Sequence, residues 1–376
     1  MSNPIFNANR MKLGVFGSNG PGTMMTTHPD RFVPTWANTL EVARIADEAG
    51  LEAIVPYSRW KPFGSPSHVS ANVLDTFAWA AGLAASTRYS SIFSTIHVPM
   101  IHPLIAAKQG ATIDAISGGR FSLNIVCGWF TPEMRMFGIE PADHDVRYEH
   151  AEEWVTILKR LWTETETFDF YGKHLRVVDA SSTPKPQQKP YAPIMNAGSS
   201  AEGQRFAAQH ADIAFVIVTS EDAAAITKQV ASYKQFARDN FGRTIQVWSY
   251  GLVLQRDSVA EADAALDEYV NARGDEAAIL VFMDYMFPNH RELPAERQRM
   301  LRAGCADGGG PHLFGRAEDV AGKLRWLSGC GIDGMLLTFV DYRSGLAQFA
   351  DTVLPLLERA GLRQAAGKPL TNARRP

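Results

Sequence analysis

Cysteine is scarce in this 376-residue chain: Cys127, Cys305 and Cys330 are odd in number and far apart, with no Cys-x-x-Cys pair. That excludes a disulfide framework and a structural zinc site as organising elements, and it suits a reducing cytoplasm. An excess of one charge is missing too. The formal net charge is −3, so no concentrated basic face is implied for nucleic acid or an anionic membrane. No run approaches the roughly 18–20 apolar residues of a membrane span, and residues 1–10 lack the apolar core of a signal peptide.

Several catalytic signatures are also absent. His97 and His102 fall in different predicted elements with no His-x-His. The histidine and aspartate cluster of a metal-dependent hydrolase is therefore not expected, and each reads as a packed or loop histidine. No Gly-x-Ser-x-Gly elbow offers serine chemistry. The glycine-rich stretch Gly17-Ser18-Asn19-Gly20-Pro21-Gly22 has Gly-x-x-Gly-x-Gly spacing, is interrupted by Pro21, and precedes no helix for another dozen residues. It is not a nicotinamide-binding fingerprint. A mobile loop over a pocket is the better reading.

What the chain does have is alternation. With 45% hydrophobic and 20% charged residues it has the composition of an ordinary globular enzyme. Short apolar runs read as strands at 12–16, 52–56, 90–98, 121–126, 193–197, 212–218, 245–254 and 332–339. Helical spacing fills the intervals at 34–49, 75–85, 103–116, 146–162, from about 201, 220–240, 259–272, 318–327 and 347–360. A hairpin is expected at 168–178. Eight strands separated by helices imply parallel pairing. They predict an α/β fold, a TIM (β/α)8 barrel with insertions, as a single domain over 1–376. A doubly wound open sheet is the other arrangement such alternation allows. The segment 275–312 breaks the rhythm and reads as a lid, with Met283, Met286 and Phe287 as an apolar underside and Gly308-Gly309-Gly310 as a hinge. Residues 364–376 read as a tail.

The stretch from Ser117 to Trp129 is the most informative. Two glycines end a helix, an apolar run follows, and a glycine with a tryptophan closes it. Such a run reads as a strand buried on both faces, and Asn124 in its middle is out of place. A buried amide costs on the order of 1–3 kcal/mol unless it is hydrogen-bonded. It is either tied to neighbouring backbone or aimed at a ligand near the strand's C-terminal end, where barrel active sites lie. Asn196-Ala197-Gly198-Ser199-Ser200 likewise ends a strand and opens a helix. It can be an ordinary serine N-cap or the start of a phosphate site.

Together, three stretches resemble the bacterial luciferase-like flavin monooxygenases. The first runs from Ala111 to Arg120 and into Asn124-Ile125-Val126-Cys127-Gly128-Trp129; the others are Arg147-Tyr148 and Asn196 to Ser200. Strand eight, Gly334 to Phe339, fits the same pattern. The chain looks closest to the two-component branch that takes reduced FMN and acts on pyrimidines, dimethyl sulfone or alkanesulfonates. The resemblance implies a monooxygenase that uses O2 through a flavin peroxide to oxygenate or cleave a small organic substrate of one of these classes. It implies FMN contacts at Ser58, Arg59, Asn124, Glu133, Arg147, Tyr148 and Ser200, with Gly198 and Ser199 in the same loop. Thr95 and Asn124 match the residues lining the oxygen pocket, as neutral donors towards oxygen. The partners implied are a separate NAD(P)H-dependent flavin reductase and further copies of the chain in a homo-oligomer, with no nucleic acid, membrane or metal. The absent nicotinamide fingerprint agrees with that division of labour. The chain departs from the pyrimidine enzyme's pattern at Ser58-Arg59, at Cys127 and in a shorter loop before Arg147. A deazaflavin-dependent oxidoreductase and a non-catalytic flavin-binding barrel are the alternatives on the same fold.

Overall fold

Short runs of valine, isoleucine, leucine and phenylalanine close into a ring. The computed structural model describes residues 3–64, 71–140 and 142–364. Its strands are β1 (Lys12–Phe16), β2 (Ala53–Val55), β3 (Ser91–His97), β4 (Phe121–Val126), β5 (Phe168–Tyr171), β6 (Arg176–Ala180), β7 (Ile194–Asn196), β8 (Ile213–Phe215), β9 (Gln246–Gln255), β10 (His312–Gly315) and β11 (Gly334–Thr338). Parallel pairing runs β1–β2–β3–β4–β7–β8–β9–β11 and back to β1. This is a closed eight-stranded barrel ringed by helices. β5 and β6 form the separate antiparallel hairpin.

Burial on both faces explains the continuous apolar pattern; all seven residues of β3 are buried. Alternate side chains point inward, where Ala53, Val55, Phe93, Met195, Phe215, Trp248 and Tyr250 fill the barrel interior. The others pack outward against the helices. Polar caps set where those helices begin. Thr35 accepts from the amide of Asn38 (3.2 Å), Asp75 from Ala78 (2.8 Å) and Ser200 from Gly203 (3.0 Å), satisfying donors that have no intrahelical acceptor. Gly118 ends the helix Pro103–Ser117 in the left-handed region, at φ 70°, a conformation glycine adopts without steric cost.

Three features differ from the expectation drawn from sequence. β10 continues an edge of β9. The amide of Gln246 donates to Asp212 just before β8, while those of Leu252 and Arg256 donate to Pro311 and Gly315 around β10. These even-numbered residues share one edge, so β10 takes over where β8 stops. A short helix, Thr131–Met136, follows β4. The segment read as a lid is mostly helical, comprising Glu276–Met286 and Ala295–Asp307.

Its underside is also different. Ala278, Ile279, Met283, Cys305 and Ala306 pack on Met25, Phe63 and Phe130, whereas Met286 and Phe287 are about 40% exposed (40% and 41%). Ala278, Ile279 and Met283 follow helical spacing, which turns the last two residues outward. The loop after β1 is stitched to both ends of this segment: Met25 donates to Ala306 (2.7 Å) and accepts from Asp275 (2.9 Å), and Thr27 donates to Arg273 (2.7 Å). Among the described residues, no helix is long and apolar enough to cross a membrane. The expected tail, apart from Gln364, lies outside the described residues.

Candidate active site

The C-terminal ends of β2, β3, β4 and β7 converge on one rim of the barrel. Thr95 and Asn124 are register partners on adjacent strands, both buried. The Thr95 hydroxyl donates to the carbonyl of Pro56 (2.5 Å), and Asn124 Nδ2 donates to Thr95 Oγ1 (3.2 Å). This chain fixes the amide's orientation. Thr95 spends its only hydrogen on Pro56, so its oxygen can only accept from Asn124. Asn124 Oδ1 is left buried without a partner. The pair therefore does not present two donors, as a hydroxyl beside an amide led us to expect; it presents one acceptor and the second N–H of Asn124.

Arg59, after β2, is half-buried with its guanidinium over Phe63 (4.3 Å), Trp129 (5.0 Å) and Phe130 (5.3 Å), an arrangement that favours a cation. Its Nη1 has no hydrogen-bond partner and lies 3.9 Å from Glu133 Oε1. Burial lowers its pKa, opposed by the nearby Glu133 carboxylate. Glu133 is itself fully buried. Its Oε1 accepts from the amides of Trp60 and Lys61, the latter at 3.0 Å. Oε2 lies 3.1 Å from His97 Nδ1, but off the alignment of a directional hydrogen bond, so neither atom gains a hydrogen-bond partner from it. Burial pushes the carboxyl up, but His97, Arg59 and the Trp60 amide outweigh it and hold Glu133 below its ordinary value. From sequence His97 reads only as a packed or loop histidine, not as a site residue. It is a packed histidine, and its role depends on a partner 36 residues away.

Around the rim, Arg147 bonds the Gly128 carbonyl through Nη1, leaving Nε buried and unpartnered. The Tyr148 hydroxyl faces Ser200 and Cys127. Burial pushes the Cys127 thiol up to about 12, so it is no ready nucleophile. Gly198 and Gly203 let the strand end and helix start cross closely: a Cβ on Gly198 would lie 2.6 Å from the Tyr148 oxygen and 2.5 Å from Gly203 Cα. Asn196 steadies the loop, donating to Ile125 (2.8 Å) and accepting from Gly198 (3.0 Å). Ser200 caps the helix Ala201–His210. The amides of Ala201 and Glu202, in its first turn, have no intrahelical acceptor by the geometry of any helix start. Ser58 is buried beside Arg59, while Ser199 is exposed.

Arg59 Nη1, Asn124 Oδ1, Glu133 Oε2 and Arg147 Nε are thus four buried polar atoms without hydrogen-bond partners on one rim. Buried polar groups nearly always find partners, so their clustering beside a helix N-terminus fits a ligand with a polar ring edge and an anionic end. FMN has that character. A separate 430 Å³ cavity lies elsewhere on the same face, between the ends of β9 and β11, lined by Asp30, Arg31, Arg256 and Arg343.

Comparison with known proteins gives the family and the fold. A family model described as luciferase-like monooxygenase matches residues 11–334. The pyrimidine monooxygenase RutA of Acinetobacter baylyi is 30% identical over 355 residues, covering 92% of this chain and 95% of that protein. Long-chain alkane monooxygenase LadA superposes with a TM-score of 0.84 at 18% identity, over 96% of this chain and 94% of its own. Riboflavin lyase RcaE, solved with modified FMN and riboflavin, gives 0.82 at 22% identity, over 94% and 93%. At such identities the two structures speak for the fold.

Proposed function

Because the chain belongs to the family of luciferase-like monooxygenases, we propose that it is the oxygenase of a two-component system. In this reading, reduced FMN comes from a separate NAD(P)H-dependent reductase in the cytoplasm, and the substrate is a small organic molecule of the pyrimidine, sulfone or sulfonate class. The observation that carries it is the set of unpartnered buried atoms on Arg59, Asn124, Glu133 and Arg147. Reduced flavin supplies the two electrons with which one oxygen atom enters the substrate and the other leaves as water.

The residues divide the work. Arg147 offers charge, and the helix start at Ser200 offers amides and a partial positive potential to the phosphate. Arg59 and Glu133 meet the ring's polar edge with a donor and an acceptor. Asn124 offers Oδ1 to an N–H and its remaining N–H to oxygen, and Thr95 holds it in that orientation. The helices of 275–312 act as a lid that excludes water, moving with the loop after β1 to which they are bonded. Limited proteolysis should cut first in the largely exposed joint 287–294 and be slowed by FMN with substrate. First cuts elsewhere would remove the lid from the proposal.

The decisive assay supplies photoreduced FMN under ¹⁸O₂ to the purified protein with one substrate of each class. The expected result is a single ¹⁸O atom in one product. Turnover only with reduced deazaflavin, or flavin binding with no product from any class, would overturn this reading.

A further inference from the structure

The barrel face opposite the Asn124 rim carries a cluster of titratable groups that oxygenation does not use. Lys159, on the helix His144–Thr163, is partly exposed. Its Nζ lies 3.4 Å from His210 Nδ1, 3.1 Å from the His210 carbonyl oxygen and 5.0 Å from the centre of the Tyr191 ring. The other nitrogen of His210, Nε2, bonds the Glu152 carboxylate. Glu152 and Lys159 sit seven residues apart on one face of the helix. Asp212 and Arg243, 3.3 Å apart, close the cluster from the far side.

The carboxylate fixes the imidazole. With Nε2 carrying its hydrogen towards Glu152, Nδ1 keeps its lone pair towards the lysine. Carboxylate, imidazole and nucleophile in hydrogen-bonded series is the arrangement that activates weak nucleophiles, here with a primary amine in the nucleophile's place. Burial, helped by the Arg243 charge, lowers the Lys159 amine to about 8. Burial likewise lowers His210, outweighing Glu152, which keeps Nδ1 free to accept.

We propose that Lys159 is a modification site, acylated by small activated acyl donors of the acyl phosphate class. The Nζ lone pair forms a bond to the acyl carbon, the carbon–oxygen bond to phosphate breaks, and phosphate leaves with that electron pair. The proton lost from Nζ passes to His210 Nδ1, and the Glu152 carboxylate stabilises the imidazolium until water takes the proton. The amide product carries no charge and holds the His210 carbonyl less tightly. That carbonyl ends the helix whose other end is Ser200.

The test incubates the full chain with acetyl phosphate at pH 7.5 and follows each lysine by peptide mass mapping. Lys159 should be acylated about tenfold faster than the exposed Lys228, as expected of an activated amine. His210→Asn should abolish most of that advantage, with circular dichroism confirming the fold. Glu152→Gln, at a partly exposed position, should reduce it too and serves as the test if His210→Asn does not fold. Lys159 reacting no faster than Lys228, or keeping its advantage in the folded variants, would overturn the proposal.

Discussion

Arg59 and Arg120 both hold guanidinium nitrogens away from solvent, yet they sit at opposite ends of the barrel in opposite circumstances. Arg120, at the start of β4, makes five hydrogen bonds: Nε to the Ser117 carbonyl (2.9 Å), Nη1 to Thr87 Oγ1 (3.1 Å) and the Ser90 carbonyl (2.7 Å), and Nη2 to the carbonyls of Ala84 (3.1 Å) and Thr87 (2.8 Å). Arg59, at the end of β2, rests among three aromatic rings with Nη1 unbonded. Burial lowers the pKa of both, so desolvation does not separate them. Bonding does. A guanidinium whose N–H groups all close onto the chain's own acceptors serves the fold; one left open in a caged position is held for something outside the chain.

The largest effect should come from breaking the first of these. Arg120→Met leaves four buried carbonyls short of a donor, and stability should fall by about 3–5 kcal/mol, read by urea denaturation, while flavin affinity per folded molecule is kept. Arg59→Met should do the reverse. Its cage accepts a thioether, and Glu133 keeps two amides and His97, so stability should move by less than about 1 kcal/mol while FMN affinity drops about tenfold. Equal stability losses in both variants, or full flavin binding by Arg59→Met, would erase the distinction.

The two ends also differ in how far they could be read from sequence. The strand pattern, the helix caps and the break at 275 are local, because side-chain period and capping depend on neighbours in the chain. Asn124 was visible as an anomaly for the same reason: an amide interrupts an apolar run. What it does was not visible, since the loss of Thr95's hydrogen to Pro56 depends on β2 lying beside β3. The cage around Arg59 draws on residues 63, 129 and 130, and Glu133 on 60, 61 and 97, all brought together only by barrel closure. β10 was hidden because four residues after a glycine triplet carry little pattern, and the helices at 276–286 and 295–307 because prolines at 288 and 294 imitate a loop.

A second pair sharpens the contrast within the rim. Asn124→Leu removes the remaining donor and the free acceptor, so oxygenation should fall by about 10²–10³, or roughly 2.7–4 kcal/mol. Thr95→Ala only releases the amide to turn, and should cost about tenfold, with Thr95→Ser restoring the parent rate. The readout is product formed per reduced flavin consumed, with hydrogen peroxide as the leak. If Thr95→Ala falls as far as Asn124→Leu while binding FMN normally, Thr95 acts directly and the positioning role is wrong.

Ser200→Asp tests the other side of the rim. Aspartate is as good an N-cap as serine, so the helix Ala201–His210 should stay intact and the melting temperature nearly unchanged. The added carboxylate would face the phosphate, and FMN affinity should fall about tenfold, more steeply at low salt. An unchanged dissociation constant would place the phosphate elsewhere, with the arginine-lined cavity between β9 and β11 as the next site to examine.

The smallest effect is a pH effect at Glu133, the anion that answers Arg59. Its folded pKa lies below the ordinary glutamate value of 4.5, so the folded state favours the charged form relative to the unfolded chain. That contribution is fully present above 4.5 and is lost as pH falls through the lower folded value. Glu133→Gln retains an oxygen for the Trp60 and Lys61 amides but not the charge, and should cost about 1 kcal/mol at pH 7. The stability gap between parent and variant should then close as the pH is taken from 5 towards 3. A gap that stays constant over that range would mean that the charge contributes nothing and that the amide bonds alone hold the residue. In that case Arg59 would stand unanswered in its cage, and its destabilisation should appear instead as a gain in stability for Arg59→Met.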